Sequence, residues 1–417
     1  TVYDNAEELV KLTVEETGLG NYEDNLSQDK RKAEILWSSL KGKKSVGIIN
    51  INKELNIVEI AKPVGVVGVI LLVTIPVTNF MANSMFAIKC GNSVIHAPHP
   101  GAKNTVSRTA ELVLKAIEKY DIPQNLIQII KEPTKESTQQ LMGVVHVVVA
   151  TGGMGMVKAA YSSGKPAYGV GPGNVQAIID RDADIDDAAK IIITGRSFNY
   201  GIPCASEQAV IVPEEMYGEV VSAFVKNGAF YISKAEDIDV ICKVLFDGEI
   251  LKKELIGKSA YEVAKSAGIN VPEHTKILLL KGELKKQPEV LRIEKLSPVV
   301  MIYTYSDFSE AVSIAKLNLE IDGKGHLAVI HSGNSQHIEQ LANALYVSRI
   351  VVNQTCNFTA GGGLTIGFTP TTTMGWGTWE NNILSENLTY KHLMNVTRIG
   401  FPITDRIPSR EEIWSLD

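Results

Sequence analysis

Val147-Val-Val-Ala-Thr151-Gly-Gly-Met-Gly-Met156-Val-Lys-Ala-Ala160 passes from an unbroken apolar run, through a glycine turn, into a stretch with helical spacing. An apolar run without alternation reads as a strand covered on both faces, as strands of parallel sheets are. The unit therefore points to an α/β fold. It recurs toward the N-terminus: an apolar strand from Gly65, a helix ending at Lys89, a strand over 93–97, a helix over 103–119, a strand over 127–130, a helix over 134–142 and a strand over 145–150. Such alternation predicts a doubly wound parallel sheet. Further out, helices are expected over 4–18 and 27–41, and strands over 44–51 and 57–61 form a hairpin across a polar turn. Toward the C-terminus a second alternating series runs from about 184 to 380, with helices over 215–227, 234–245 and 307–317 and strands over 208–212, 276–280 and 327–330. Two doubly wound α/β domains follow, with the join expected near 180–187.

Composition narrows the function. With 417 residues, 45% of them hydrophobic and 21% charged, the chain can bury two or three cores. A net charge of −6 with no Lys/Arg cluster argues against nucleic acid as a partner. The longest apolar stretch, Val64 to Val77, is broken by Gly65, Gly68 and Pro76 and falls short of the roughly 20 residues that span a bilayer, so no membrane partner is expected. Four cysteines without a CxxC pair suit reduced thiols and a cytoplasmic protein. The chain begins at Thr1, inside a helical pattern, and a preceding segment that directs it to a bacterial microcompartment is the alternative.

Several stretches carry chemistry. After the strand that ends at Thr151, Gly152 and Gly153 would let backbone amides approach a pyrophosphate at a helix N-terminus. The glycines of Gly164-Lys-Pro-Ala-Tyr-Gly169-Val-Gly171-Pro-Gly-Asn174 clear side chains from a segment that something must approach. Small-residue loops at Thr359-Ala-Gly-Gly-Gly363 and Gly375-Trp-Gly-Thr-Trp379 suit a substrate funnel, although packing alone explains them equally. Ser197-Phe-Asn-Tyr-Gly-Ile-Pro-Cys204-Ala-Ser-Glu-Gln208 presents one thiol after a helix, where Asn199 and the amides near Ala205 could favour a thiolate. A bare cysteine is as often a small core hydrophobe, and Cys90, Cys242 and Cys356 have no such company. The histidines lack metal-ligand spacing, so no metal is expected.

Taken in order, Ala97-Pro98-His99-Pro100, Ala150-Thr-Gly-Gly-Met-Gly-Met-Val157, Ala160-Tyr-Ser-Ser-Gly-Lys-Pro166, Gly169-Val-Gly-Pro-Gly-Asn174, Cys204-Ala-Ser-Glu-Gln208 and Gly325-His326 resemble the aldehyde dehydrogenase superfamily, and within it the CoA-acylating branch. The likeness extends over nearly the whole chain and is close to the acylating half of bifunctional aldehyde-alcohol dehydrogenases and to CoA-dependent succinate semialdehyde dehydrogenases. It implies an NAD-binding domain over 1–44 and 62–183, a catalytic domain over 184–383, and an oligomerisation element over 45–61 and 384–417, so a homodimer or homotetramer is expected. It also implies Cys204 as the nucleophile that forms an acyl thioester, NAD as hydride acceptor and coenzyme A as acyl acceptor. His326 would carry a proton, Glu294 would hold the nicotinamide ribose, Pro98 and His99 would lie at the adenosine end, and Thr151, Gly152, Gly153 and Gly171 would border the cofactor. Gly169 stands where hydrolytic members keep a water-activating glutamate, which favours acyl-CoA over free acid as product.

Departures accompany the match. Ile75 replaces an asparagine of the oxyanion hole, Asn79 is the nearest substitute, and Tyr200 and Trp376 are expected to narrow the acyl pocket. The expected substrate is a short aliphatic aldehyde such as acetaldehyde, or its acyl-CoA in reverse. Succinate semialdehyde is the rival, with Ser206 the one nearby hydroxyl to receive it. A catalytically weakened homologue kept as a binding subunit, and a hydrolytic enzyme, are the other readings.

Overall fold

The computed structural model describes residues 1–123, 125–403 and 407–415. Helix α1 (Ala6–Thr17) is followed by α2 (Tyr22–Leu40), which starts before the expected residue 27 because the Asn21 side chain accepts the Asp24 amide and caps it. The hairpin is β1 (Gly47–Asn52) and β2 (Ile57–Pro63). Then β3 (Val66–Ile70), α3 (Pro76–Lys89), β4 (Ser93–Ala97), α4 (Lys103–Ile117), β5 (Ile127–Ile129), α5 (Lys135–Val144), β6 (Val147–Thr151), α6 (Met154–Tyr161) and β7 (Ala167–Val170) alternate. Their sheet has the order β5-β4-β3-β6-β7, with every pair parallel. The chain steps outward from β3 to β5 and then returns to β6 on the other side of β3. The turns that leave β3 and β6 therefore diverge, opening a crevice at the carboxyl ends of the two strands.

A second sheet is built from β8 (Val175–Ile179), β9 (Glu207–Pro213), β10 (Ala229–Ile232), β13 (Ile277–Lys281), β14 (Val299–Tyr305), β15 (Ala328–His331) and β16 (Ile350–Val352); β11 (Phe246–Asp247) and β12 (Ile250–Leu251) pair separately. Its order is β10-β13-β14-β9-β8-β15-β16, again all parallel. Helices α7 (Ile185–Ser197) and α8 (Tyr217–Lys226) pack with one core; α9 (Ala235–Leu245), α10 (Ala260–Ser266), α11 (Phe308–Ile321) and α12 (Ser335–Ala344) pack with another. A four-residue helix, α13 (Cys356–Thr359), follows β16.

Two expected boundaries move. The chain passes between sheets at residues 171–174, not at 180–187, because β8 pairs with β9 and β15. The charged run Asp180-Arg-Asp-Ala-Asp184 that resembles a join is the turn after β8, where Asp180 is buried against His337 at 2.6 Å. The C-terminal segment also stays in the body for longer than expected. Leu384, Leu388, Tyr390 and Leu393 are buried in the core of the first sheet, and only then does β17 (Met394–Gly400) pair antiparallel along β2. Among the described residues no helix is long and apolar enough to cross a membrane.

Asn174 fixes the crossing. Its side-chain amide donates to the carbonyls of Arg292 at 2.8 Å, Asn318 at 3.1 Å and Asp322 at 3.1 Å. Removing one donor from several buried acceptors leaves them unsatisfied, so Asn174→Ala is expected to lower stability by about 2–4 kcal/mol. Urea unfolding checks this: the midpoint should fall with little change in slope.

Candidate active site

Helix α7 ends in a sharp turn, because Asn199, Tyr200 and Gly201 adopt φ values of 51°, 53° and 72° in succession. The turn delivers Cys204 just before β9, partly exposed, while Cys90, Cys242 and Cys356 are buried. Gly173, in the crossing between the sheets, lies so close that a Cβ there would overlap the Cys204 carbonyl. A glycine at 173 is thus required for the two backbones to meet.

Asn199 does not serve the thiol. Its Oδ1 accepts from the Asn21 amide at 2.9 Å and from Asn25 Nδ2 at 3.1 Å, and its Nδ2 donates to Asn25 Oδ1 at 3.1 Å. This ties the nucleophile turn to the start of α2. The Tyr200 phenol is held up by burial and then by Glu262, Asp24 and Glu23, and these neighbours give no support to a place in the acyl pocket. Trp376 is buried between the crossing segment and the residue before His326: a Cβ on Gly171 would strike its indole, and one on Gly325 would strike its backbone.

Burial pushes the Cys204 thiol up to about 12, Glu294 adds to the rise, and Arg349, the residue's own backbone N–H and Lys32 oppose it. Glu294 is buried, its Oε1 accepting the Gly173 amide at 3.0 Å; burial and Asp322 push it up to about 8. Arg349 is buried too, donating to the His326 carbonyl and the Gly375 carbonyl, each at 3.0 Å. Its charge acts on both Cys204 and His326. The His326 ring is fully buried, has no hydrogen-bond partner at either nitrogen, and meets the Trp376 ring edge-on at 6.2 Å. Burial, then Arg349, lowers its pKa to about 3, so it is a neutral imidazole at pH 7. An imidazole with neither nitrogen engaged is free to exchange a proton or accept a hydrogen bond within the site.

Gly169 has no room for a side chain: a Cβ would sit 2.7 Å from Val157 Cγ1 and 2.8 Å from Tyr161 Oη. Its amide donates to that hydroxyl at 3.1 Å, and Asn382 donates to its carbonyl. Asn79 is buried, with Nδ2 donating to Thr372 Oγ1 at 3.1 Å and Oδ1 unpartnered. Ile75 precedes α3 and caps nothing.

The crevice of the first sheet holds the remaining candidates. Thr151 Oγ1 is buried and unpaired, Gly153 precedes α6 without a side-chain cap, and nothing lies within 4 Å of a Cβ at Gly153. Pro98 and His99 end the β4 turn, with His99 Nδ1 accepting the Gly101 amide at 3.0 Å. A bare helix start, an unpaired hydroxyl and open glycines fit a dinucleotide phosphate.

Two residues absent from the sequence reading belong here: Arg349 and Lys32. Lys32 lies on α2, buried, with Nζ donating to the carbonyls of Gly361 and Thr371 at 3.0 Å each. A signal for it existed. Asn25, Gln28, Asp29 and Lys32 recur at the spacing of a helix's covered face, yet all are polar. Nothing in Ser348-Arg349-Ile350 marks the arginine.

The profile of the aldehyde dehydrogenase family matches residues 2–234. The chain belongs to that family. The succinate-semialdehyde dehydrogenase (acetylating) of Clostridium kluyveri is 48% identical to it, over 99% of this chain and 91% of the relative. A sulfoacetaldehyde dehydrogenase of Acholeplasma sp is 39% identical, over 98% and 86%. The crystal structure of an acetylating aldehyde dehydrogenase from Geobacillus thermoglucosidasius superposes with a TM-score of 0.92 at 36% identity, covering 98% of this chain and 90% of that one. The enzyme is thus an acylating aldehyde dehydrogenase, an oxidoreductase of the branch that uses a nicotinamide nucleotide and coenzyme A.

Because the ligand-free thiol is held neutral, Cys204 should react with iodoacetamide more slowly at pH 8 than an unhindered thiol. Its rate should still be rising with pH at about pH 10, where a free thiol with pKa about 8.5 has levelled off. Mass spectrometry of the alkylated peptide checks this; a plateau reached by about pH 10 would contradict it.

Proposed function

We propose that this enzyme catalyses the reversible, NAD-dependent oxidation of a short aldehyde to its acyl-CoA through a thioester on Cys204. The observation that carries the reading is the filled space at Gly169, the residue that stands where hydrolytic members keep a water-activating glutamate: Val157 and Tyr161 leave no room there for even a Cβ. With no base there, an incoming thiolate is the competent acceptor of the acyl group.

Cys204 Sγ, once deprotonated, adds to the aldehyde carbon and places negative charge on the carbonyl oxygen. Arg349, Lys32 and the Cys204 N–H supply positive potential around the sulfur, and Ile75 supplies no donor. Thr151, Gly152 and Gly153 would hold the dinucleotide phosphates in the crevice, and NAD so bound would accept the hydride. Glu294, anchored on the Gly173 amide and near enough to Cys204 to act on its charge, would accept the hydroxyls of the nicotinamide ribose. His326 would take the proton of the incoming CoA thiol as the Cys204 sulfur leaves, once a bound substrate changes the burial that now holds its pKa down.

Of the two expected substrates, the relatives favour the carboxylated one. Succinate semialdehyde and sulfoacetaldehyde, named for two of them, both carry an acidic group beyond the aldehyde. The exposed Ile48, Ile51, Ile399 and Phe401, on and beside the three-stranded sheet, support a homodimer or homotetramer, and four unpaired cysteines support a reducing compartment such as the cytoplasm.

NADH production with succinate semialdehyde or acetaldehyde should require CoA. Cys204→Ala should lower it by on the order of 10⁴-fold while leaving NAD binding intact. Turnover without CoA would favour the hydrolytic reading. NAD binding without turnover by the wild type would favour a weakened homologue.

A further inference from the structure

One of the cations whose charge reaches Cys204 is buried and is given no anionic partner by the chemistry at the carbonyl. Lys32 is 8% exposed, and its Nζ meets two neutral carbonyls, those of Gly361 and Thr371. An ammonium has three donors, so one remains. Among the described residues no carboxylate lies within ion-pairing distance of it. Asp29, one turn earlier on α2, is buried and pushed up to about 8, so it is mainly neutral at pH 7 and leaves the cation uncompensated.

The surroundings are built around this charge. A Cβ on Gly361 would approach Lys32 Nζ to 2.9 Å, so the glycine loop is shaped to admit the ammonium. On the preceding residue, Arg31 Nη2 is buried without a partner, while its Nη1 donates to the Phe358 carbonyl at 3.2 Å. Thr372, next to the carbonyl that holds Lys32, binds Asn79. Lys32 is also near enough to Cys204 for each to shift the other's titration. Burial of an unpaired ammonium is costly, and here burial and Arg31 bring Lys32 down to about 7. An anion placed beside it would relieve that cost.

We propose that Lys32 is the specificity-determining residue of this enzyme, receiving the anionic terminus, carboxylate or sulfonate, of an aldehyde whose carbonyl lies at Cys204. The proposal rests on Cys204 as nucleophile. It gives the missing side chain at Gly361 a role: the carbonyl of that residue and the carbonyl of Thr371 hold the cation, and a Cβ there would crowd the ammonium.

The test compares CoA-dependent kcat/KM for succinate semialdehyde, sulfoacetaldehyde and butanal, the last matching the first in chain length without its charge. Wild type should prefer both anionic aldehydes. In Lys32→Met the ratio of succinate semialdehyde to butanal should fall about 30- to 100-fold, mainly through KM, as expected for the loss of one hydrogen bond to a charged group. Lys32→Arg should recover part of it. Sulfoacetaldehyde falling in parallel identifies a general oxyanion subsite; its staying constant restricts the subsite to carboxylates. A second readout needs no turnover: butanoate, but not butan-1-ol, should slow alkylation of Cys204 in the wild type, whether or not the variants fold. Equal wild-type use of butanal and succinate semialdehyde, or a ratio unmoved in a folded Lys32→Met, would overturn the assignment. Absence of CoA-dependent turnover with all three aldehydes would overturn the reading of Cys204 itself, whereas selective protection by butanoate would still report the anion subsite.

Discussion

The site depends on a close approach of two backbones, where the glycine of the crossing segment meets the carbonyl of Cys204. Each sheet is complete without the other, and the candidate site draws on both. One contributes the crevice at the carboxyl ends of β3 and β6; the other contributes the Cys204 thiol just before β9. Gly173 lies against Cys204, and its amide also anchors Glu294, so both residues are referred to one peptide unit. The buried side chain of Asn174, bonded to three carbonyls from the segments around Arg292 and Asp322, keeps that unit from drifting.

Much of the fold was legible because parallel strands covered on both faces are written as apolar runs, and the helices between them carry an unbroken period. Strand 93–97 matches the sequence expectation residue for residue, and α9 is off by one at its start. The join between sheets was misplaced for a physical reason. Gly171-Pro-Gly-Asn174 resembles an ordinary turn, and whether a strand such as 175–179 pairs backward or forward depends on contacts far away in sequence. The C-terminal segment was misread for a related reason, since burial of Leu384 and Leu393 against the first sheet requires the chain to return across the molecule.

At the site, Cys204 and the glycines were legible from local chemistry and family likeness, whereas the electrostatic setting was not. Asn199 stands five residues before the thiol, but successive left-handed residues swing it toward α2. Arg349 comes from the edge of β16, 145 positions from the cysteine, and no local pattern announces a buried guanidinium. Burial sets the charge pattern, pushing the Cys204 thiol and the Glu294 carboxyl upward and the His326 imidazole downward, each toward its uncharged form.

Helix α2 carries two attachments of different kinds. Near its start, Asn21 and Asn25 grip the turn that delivers the nucleophile; two turns later, Lys32 is lodged among loop carbonyls. One rigid rod thus acts as a gauge between the reacting sulfur and the buried charge. A helix slides only in steps of its own repeat, and one turn advances it about 5.4 Å, a large fraction of a four-carbon substrate's length. Variants of this scaffold that accept longer or shorter molecules should therefore arise by exchanging residues along the rod, with its register left alone.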